Sequence, residues 1–225
     1  MQIIEIQIKS PNLPRQQVFY ENILGLKSIE KKTNEVTYAI GNTKLCIKQS
    51  TNFYPYHFAI NIPCNQTDEA LHWLKDRLDV LKCGAHDIQD FNTWNARAMY
   101  FYDADHNIVE FIARKNLKNE SDKEFSEKSF LQISEIGVPV SVIKNIFDPL
   151  YQDYHLELYD GNLERFCAIG DEYGMFICLN KELKKWFPTG DMAYSSDFKI
   201  KFKNNGLLHQ LDFSEGKIKV SNGQS

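Results

Sequence analysis

The sequence predicts an α+β chain of tandem βαβββ modules, and three observations predict it. Several segments alternate apolar and polar residues with period two, as half-buried strands do. Two segments between them carry apolar stripes at helical spacing. A stretch in the second half repeats the pattern of the first fifty residues, which points to internal duplication.

The first strand is read from Ile4, Ile6 and Ile8 alternating with Glu5, Gln7 and Lys9. Asn12 and Pro14 then open a helix bearing Val18, Phe19, Ile23 and Leu24, and Gly25 ends it where a left-handed residue is wanted. EVTYAIG and TKLCIKQS follow as strands joined at Asn42-Thr43. The pattern restarts at 56–62, with Phe58, Ile60 and Ile62 on one face and His57, Ala59 and Asn61 on the other. Thr67 is placed to cap a second helix, with Asp68 and Glu69 in its first turn and a stripe of Ala70, Leu71, Leu74, Leu78 and Leu81. The strands WNARAMYFY and NIVEFIA come next, across the turn 103–107.

Residues 115–129 hold eight charges and only Leu117 and Phe125 as large apolar groups, so the segment reads as a charged linker. Beyond it, Ile133 to Val138 matches Ile3 to Ile8, and 167–170 matches 38–41. Glu5 and Ile40 are 35 positions apart, and Glu135 and Ile169 are 34 apart. The stretch 196–221 offers three strands and no room for a helix, a degenerate last module. The expected division is a first domain at 1–114, a linker at 115–129 and a second domain at 130–225.

Composition narrows the function. The net charge of −4 argues against a nucleic-acid surface. No segment approaches the roughly eighteen apolar residues of a membrane span, and the N-terminus reads as a strand. The five cysteines, with no C-x-x-C pair, suggest neither a zinc knuckle nor a disulfide framework, so a cytoplasmic chain is expected. Nucleotide-binding and nucleophile-elbow motifs are lacking.

FYENILGL at 19–26, HFAINIP at 57–63 and YFYDADHNIVEFIAR at 100–114 give the chain a resemblance to the vicinal oxygen chelate superfamily, which comprises glyoxalases, bleomycin-resistance proteins and extradiol dioxygenases. The last motif is similar to that family's Asp-Pro-Asp-Gly-Asn turn. His106 replaces the glycine, which predicts a histidine at positive φ. The resemblance implies two cup-shaped half-barrel domains. It also implies metal-ligand places at Glu5, Cys46, His57 and Glu110. The glyoxalase pattern has histidine at the first place and glutamate at the second, so this chain departs from it twice.

Strand parity alone sets Glu5, His57 and Glu110 opposite the aliphatic faces of their strands, where they would project into one cup. One imidazole and two carboxylates suit a divalent ion such as Mn, Fe, Ni, Co or Zn. Either carboxylate, Glu110 or Glu5, is a candidate proton carrier. The competing reading leaves Glu5 as a polar residue on an open sheet face, since Glu135 occupies the repeated position. Cys46 is either a fourth ligand or a thiol lining the cup, and Asn61 and Arg97 are candidates for holding substrate. Trp186 and Phe187 in WFPTGD are read as a clamp on the second domain's core, or else as a flap over a cup. The leading expectation is a metal-dependent lyase, isomerase or dioxygenase acting on a small oxygenated molecule, as a monomer or homodimer. The alternative is a metal-free binding protein of the bleomycin-resistance type.

Overall fold

In the computed structural model, which describes residues 1–220, four modules follow one another. The first comprises β1 (Gln2–Ser10), α1 (Leu13–Val18), a π-helical turn (Phe19–Ile23), β2 (Ser28–Lys32), β3 (Glu35–Ile40) and β4 (Thr43–Gln49). The second comprises β5 (His57–Ile62), α2 (Thr67–Lys75), the short β6 (Val80–Leu81) and β7 (Gln89–Phe91), then β8 (Ala96–Tyr102) and β9 (Ile108–Arg114). The third is β10 (Gln132–Val140), α3 (Lys144–Tyr154), β11 (Leu158–Asn162), β12 (Phe166–Asp171) and β13 (Gly174–Asn180). The fourth keeps only the strands β14 (Phe198–Asn204), β15 (Leu207–Ser214) and β16 (Lys217–Val220). The end of the expected second domain, 221–225, lies outside the described residues.

The modules do not pair in sequence order. β1 runs antiparallel to β14, with Ile6 opposite Ile200, so the first and fourth modules share a seven-stranded sheet, β16-β15-β14-β1-β4-β3-β2. β10 runs antiparallel to β5, with Ile136 opposite Phe58. The second and third modules therefore share the other sheet, β11-β12-β13-β10-β5-β9-β8-β6, with β7 beside β8; this is the inner sheet, built by the two middle modules, and the seven-stranded one is the outer sheet. The expected division at 115–129 cuts across both sheets. That segment is not a tether between bodies, because it leaves β9 and returns the chain to β10 in the same sheet. Phe125 is buried within it and packs against Trp73 and Phe111.

The duplication is visible in the backbone. β1 is parallel to β4 as β10 is parallel to β13, and each first strand carries an irregularity at the same place, between Ile3 and Glu5 and between Ile133 and Glu135. That bulge corrects the expected parity of β1: Ile3, Ile6 and Ile8 are buried, while Ile4 is only half-buried at the extra residue. The first helix also differs from the expected single α-helix. Its π-helical turn re-registers the chain, so Phe19 and Leu24 are buried and Val18 is exposed. Thr67 is the first helical residue, and the preceding Gln66 holds the cap position without a side-chain bond.

The aliphatic faces of both sheets share one core with the helices. Ile3, Ile6 and Ile8 of β1, Phe58 and Ile60 of β5, and Val109 and Phe111 of β9 meet Leu24, Leu74 and Leu150 there. Each such side chain stabilises the fold by about 1.5–3 kcal/mol relative to exposure. The β3–β4 turn meets the start of β10 closely: the backbone N–H of Asn42 donates to the Leu131 carbonyl, and a Cβ on Gly41 (φ +51°) would lie 1.9 Å from that oxygen. With the aliphatic faces consumed, the opposite faces of the two sheets are left to form cavities.

Candidate metal centre in the inner sheet

The turn after β8 fixes the geometry. Asp103 is fully enclosed and accepts hydrogen bonds from Gln16 and Tyr20 of the first module, from the backbone N–H groups of Asp105 and Asn107, and from the Asn107 amide. Burial raises its pKa, and these donors oppose the shift. His106 adopts φ 61°, the positive value expected from the motif. Asn107 in turn accepts the N–H of Tyr56 at 2.8 Å, so one turn sets the start of both β5 and β9. His57 and Glu110 project from those two neighbouring strands.

His57 is buried, and its Nδ1 lies 3.2 Å from the Ile108 carbonyl oxygen. A carbonyl only accepts, so Nδ1 carries the proton and a neutral ring presents the lone pair of Nε2. Nε2 lies 3.5 Å from Glu110 Oε2. The third member is Glu135 on β10, whose ligand atom lies within 4.8 Å of the other two. Burial pushes the His57 pKa down to about 4, with only the Ile108 bond opposing. Burial and then the charge of Glu135 hold Glu110 well above the usual carboxylate range, against Arg114 and a hydrogen bond from Tyr100. Glu135 is also raised by burial, and Arg114 opposes that shift.

Arg114, at the end of β9, is wholly buried. Its Nη2 donates to Glu135 Oε1 and its Nε donates to Asn61 Oδ1 at 3.3 Å. One guanidinium thus faces two carboxylates. Because it bonds Glu135 and not Glu110, burial disfavours the anionic form of Glu110 more than that of Glu135. The donor set fits a divalent ion: a free imidazole lone pair, the whole Glu110 carboxyl and the second oxygen of Glu135. The position on β13 that corresponds to Cys46 is Ile177, opposite Gly137 of β10, and its side chain offers no ligand atom.

The cluster forms the floor of a cavity of about 400 Å³. Its walls are aromatic, including Phe91, Trp94, Phe166, Trp186 and Phe187. Trp94 is held by its indole N–H on Asp160 Oδ2 at 2.6 Å. Trp186 sits 4.8 Å from the His57 ring, ring centre to ring centre. Gly137 makes room for it, since a Cβ there would come within 2.6 Å of Trp186 Cη2. Lys184 also lines the cavity and lies 3.9 Å from the Phe166 ring centre. Among the described residues its ammonium has no carboxylate partner, and burial pushes its pKa down.

Of the residues expected from sequence, His57 and Glu110 come together and the others do not join them. Glu5 belongs to the outer sheet and pairs with Lys201 at 2.8 Å. Its place is taken by Glu135, because module three, and not module one, flanks β5. Cys46 lies in the outer sheet too, accepting a hydrogen bond from Gln7 at 3.4 Å. Arg97 pairs with Asp68 and Asp90, each at 3.3 Å, away from the cavity. Asn61 acts through Arg114 and donates its amide to the Glu172 carbonyl at 2.9 Å. Trp186 and Phe187 wall the cavity, and Trp186 is buried in one apolar cluster with Ile177 and Leu179. Arg114 and Lys184 were missed, since isolated basic residues at a strand end and in a loop carry no sequence signal.

No protein-family model matches the chain, and no curated protein sequence matches it. Solved structures do. A Bacillus subtilis protein proposed by its name to be a dioxygenase aligns with a TM-score of 0.62 at 13% identity, over 94% of this chain and 84% of its own. A single-residue variant of glyoxalase I from Zea mays aligns with a TM-score of 0.54 at 12% identity, over 79% of this chain and 66% of its own. With its βαβββ modules and paired sheets, the chain has the fold of the vicinal oxygen chelate superfamily, that of the glyoxalase, bleomycin-resistance and dioxygenase proteins.

Proposed function

We infer that the inner sheet carries the active site of a divalent-metal-dependent enzyme acting on a small oxygenated molecule with a flat, apolar body. The observation that supports this most is the convergence of His57, Glu110 and Glu135 beneath an aromatic cavity, with the histidine lone pair oriented inward. One histidine and two carboxylates differ from the two-histidine, one-carboxylate set of non-haem iron oxygenases, which favours a lyase or isomerase over a dioxygenase. Bound there, a divalent ion would polarise adjacent substrate oxygens and stabilise negative charge as it develops.

The chain's own residues divide the remaining work. Glu135 is locked by Arg114 and serves as a fixed ligand. Glu110 has no guanidinium bonded to it and accepts a hydrogen bond from the Tyr100 phenol, so of the two carboxylates it is the one free to detach and carry a substrate proton. Trp94, Trp186 and Phe166 orient a planar body and exclude water. Lys184 meets an anionic group at the opposite end of the substrate, such as a carboxylate. The chemistry of the donor set allows Mn, Fe, Ni, Co or Zn.

Metal analysis of untagged protein, reconstituted with each ion in turn, tests the reading. About one tightly held ion per chain is expected, lost in His57→Ala and in Glu135→Gln. A second reading rests on Arg114, which already neutralises one carboxylate without a metal. If no ion binds the wild type and aromatic carboxylates bind unchanged, the chain is a metal-free binding protein instead.

A further inference from the structure

The outer sheet has its own cavities, on the face that corresponds to the metal-bearing face of the inner sheet. One of about 470 Å³ is lined by Gln7, Lys9, Lys48, Lys199, Asp212 and Lys219 among others. Another of about 330 Å³ shares Gln7, Lys48 and Lys199 with it and adds Glu5, Lys201 and Gln210. Together they form one trough with Lys48 and Lys199 at the join.

The strand registers map one cup onto the other. Glu5 of β1 faces Lys201 of β14, just as Glu135 of β10 faces Ala59 of β5. Two residues back along those partner strands, Lys199 stands where the inner sheet has His57. The lateral neighbour of Ala59 is Glu110, and the lateral neighbour of Lys201 is Gln210. Gln7 is beside Cys46 as Gly137 is beside Ile177. The places of His57, Glu110 and Glu135 are therefore taken by Lys199, Gln210 and Glu5. An ammonium replaces an imidazole and an amide replaces a carboxylate, so the outer cup cannot assemble the inner cup's cation site.

The charge balance runs the other way. Lys9, Lys48, Lys199, Lys201 and Lys219 line the trough, against the carboxylates Glu5, Asp197 and Asp212. Four of the lysines face a carboxylate: Lys9 with Asp197 at 2.7 Å, Lys199 with Asp212 at 3.2 Å, Lys201 with Glu5 at 2.8 Å and, more loosely, Lys219 with Glu215 at 3.9 Å. Lys48 has no carboxylate within ion-pair distance among the described residues. This excess of positive charge stands on a chain whose net charge is −4. Ammonium groups clustered along the walls of a trough raise the local potential for an entering anion.

We propose that the outer cup is a binding site for a small oxyanion carrying two or more negative charges, a phosphate ester or a polycarboxylate, held between Lys48 and Lys199. Gln210 supplies a neutral amide beside the ammonium groups, while the Gln7 amide is already engaged by Glu35 at 3.2 Å and Cys46 at 3.4 Å. The site is separate from the metal centre and does not depend on it.

Calorimetric titration of the full chain at low salt, with inorganic pyrophosphate and with citrate, tests the proposal. At least one of the two should bind saturably at one site, and the tighter of them distinguishes phosphate from carboxylate recognition. The Lys48→Gln, Lys199→Gln double variant should bind roughly tenfold or more weakly, the scale for losing hydrogen bonds to a charged group. The Lys199 side chain is 56% exposed, so circular dichroism should show this variant folded like the wild type. His57→Ala should bind the anion as the wild type does. Absence of saturable binding by both anions, equal affinity in the folded double variant, or binding of a single-stranded oligonucleotide that neither anion displaces would overturn the proposal.

Discussion

Replacing His57 by glutamine should change how the metal-free protein responds to acid. In the folded chain burial lowers the His57 pKa from its ordinary 6.5 to about 4. Between those values the unfolded chain binds a proton that the folded chain refuses, so stability falls as pH falls through that window. At neutral pH the residue adds no such cost. The full shift of about 2.5 pKa units corresponds to about 3 kcal/mol, present in full only below about pH 4. Glu110 acts in the opposite sense: its folded pKa is raised, so its desolvation cost is present above that pKa and is relieved by acid. Glu110 keeps its place in the variant but lies 3.5 Å from the imidazole, so the comparison reads the histidine together with its effect on that carboxyl. Urea denaturation in the presence of a chelator, at steps from pH 7 to pH 4.5, should show wild type losing about 2–3 kcal/mol more than His57→Gln. Equal losses in the two proteins would refute a buried, neutral His57.

Arg114→Met should cost about 3–5 kcal/mol of stability in urea at neutral pH, because it leaves the buried Glu135 without its partner. The loss should shrink on mild acidification as Glu135 protonates. A divalent ion at a hundred times its dissociation constant should raise wild-type stability by about 2.7 kcal/mol and leave His57→Ala unchanged, as urea curves with and without the ion would show. Gly137→Ala should cost about 1–3 kcal/mol and shift the tryptophan fluorescence, because the added methyl displaces the Trp186 ring from His57. Cys46→Ala should leave the metal stoichiometry untouched, since Cys46 lies in the other sheet.

The modules themselves are legible in the sequence because each rests on a local signal. Strand parity, Gly25 after the first helix and the turn residues 103–107 each act within a few positions of themselves. His57 and Glu110 are legible for the same reason, since both lie in one module and their strands are neighbours. The pairing between modules is not local. It is decided by which aliphatic faces fit together and by the path of 115–129, and a one-residue bulge in β1 already upset the expected alternation. Glu135 shows the consequence. Its sequence match to Glu5 was plain, yet which of the two shares a cup with His57 depends on whether β1 or β10 flanks β5. Arg114 was hidden differently, for a terminal strand arginine is ordinarily solvated and only the fold shows it wholly enclosed.

The nested pairing also has a physical logic. Modules two and three are joined by a short segment that stays on their own sheet, so the lining of the inner cup comes from residues 57–187. Modules one and four must then meet each other across the whole chain, and they do so along β1 and β14. The fourth module can dispense with its helix because β14–β16 form a simple antiparallel meander whose apolar residues Phe198, Ile200, Phe202, Leu211 and Phe213 reach the common core. Losing that helix replaces the parallel crossover of the inner sheet by a hairpin, which puts Gln210 beside Lys201 where the inner sheet puts Glu110 beside Ala59. The duplicated frame thus carries His57, Glu110 and Glu135 at one set of places and Lys199, Gln210 and Glu5 at the corresponding places of the other sheet.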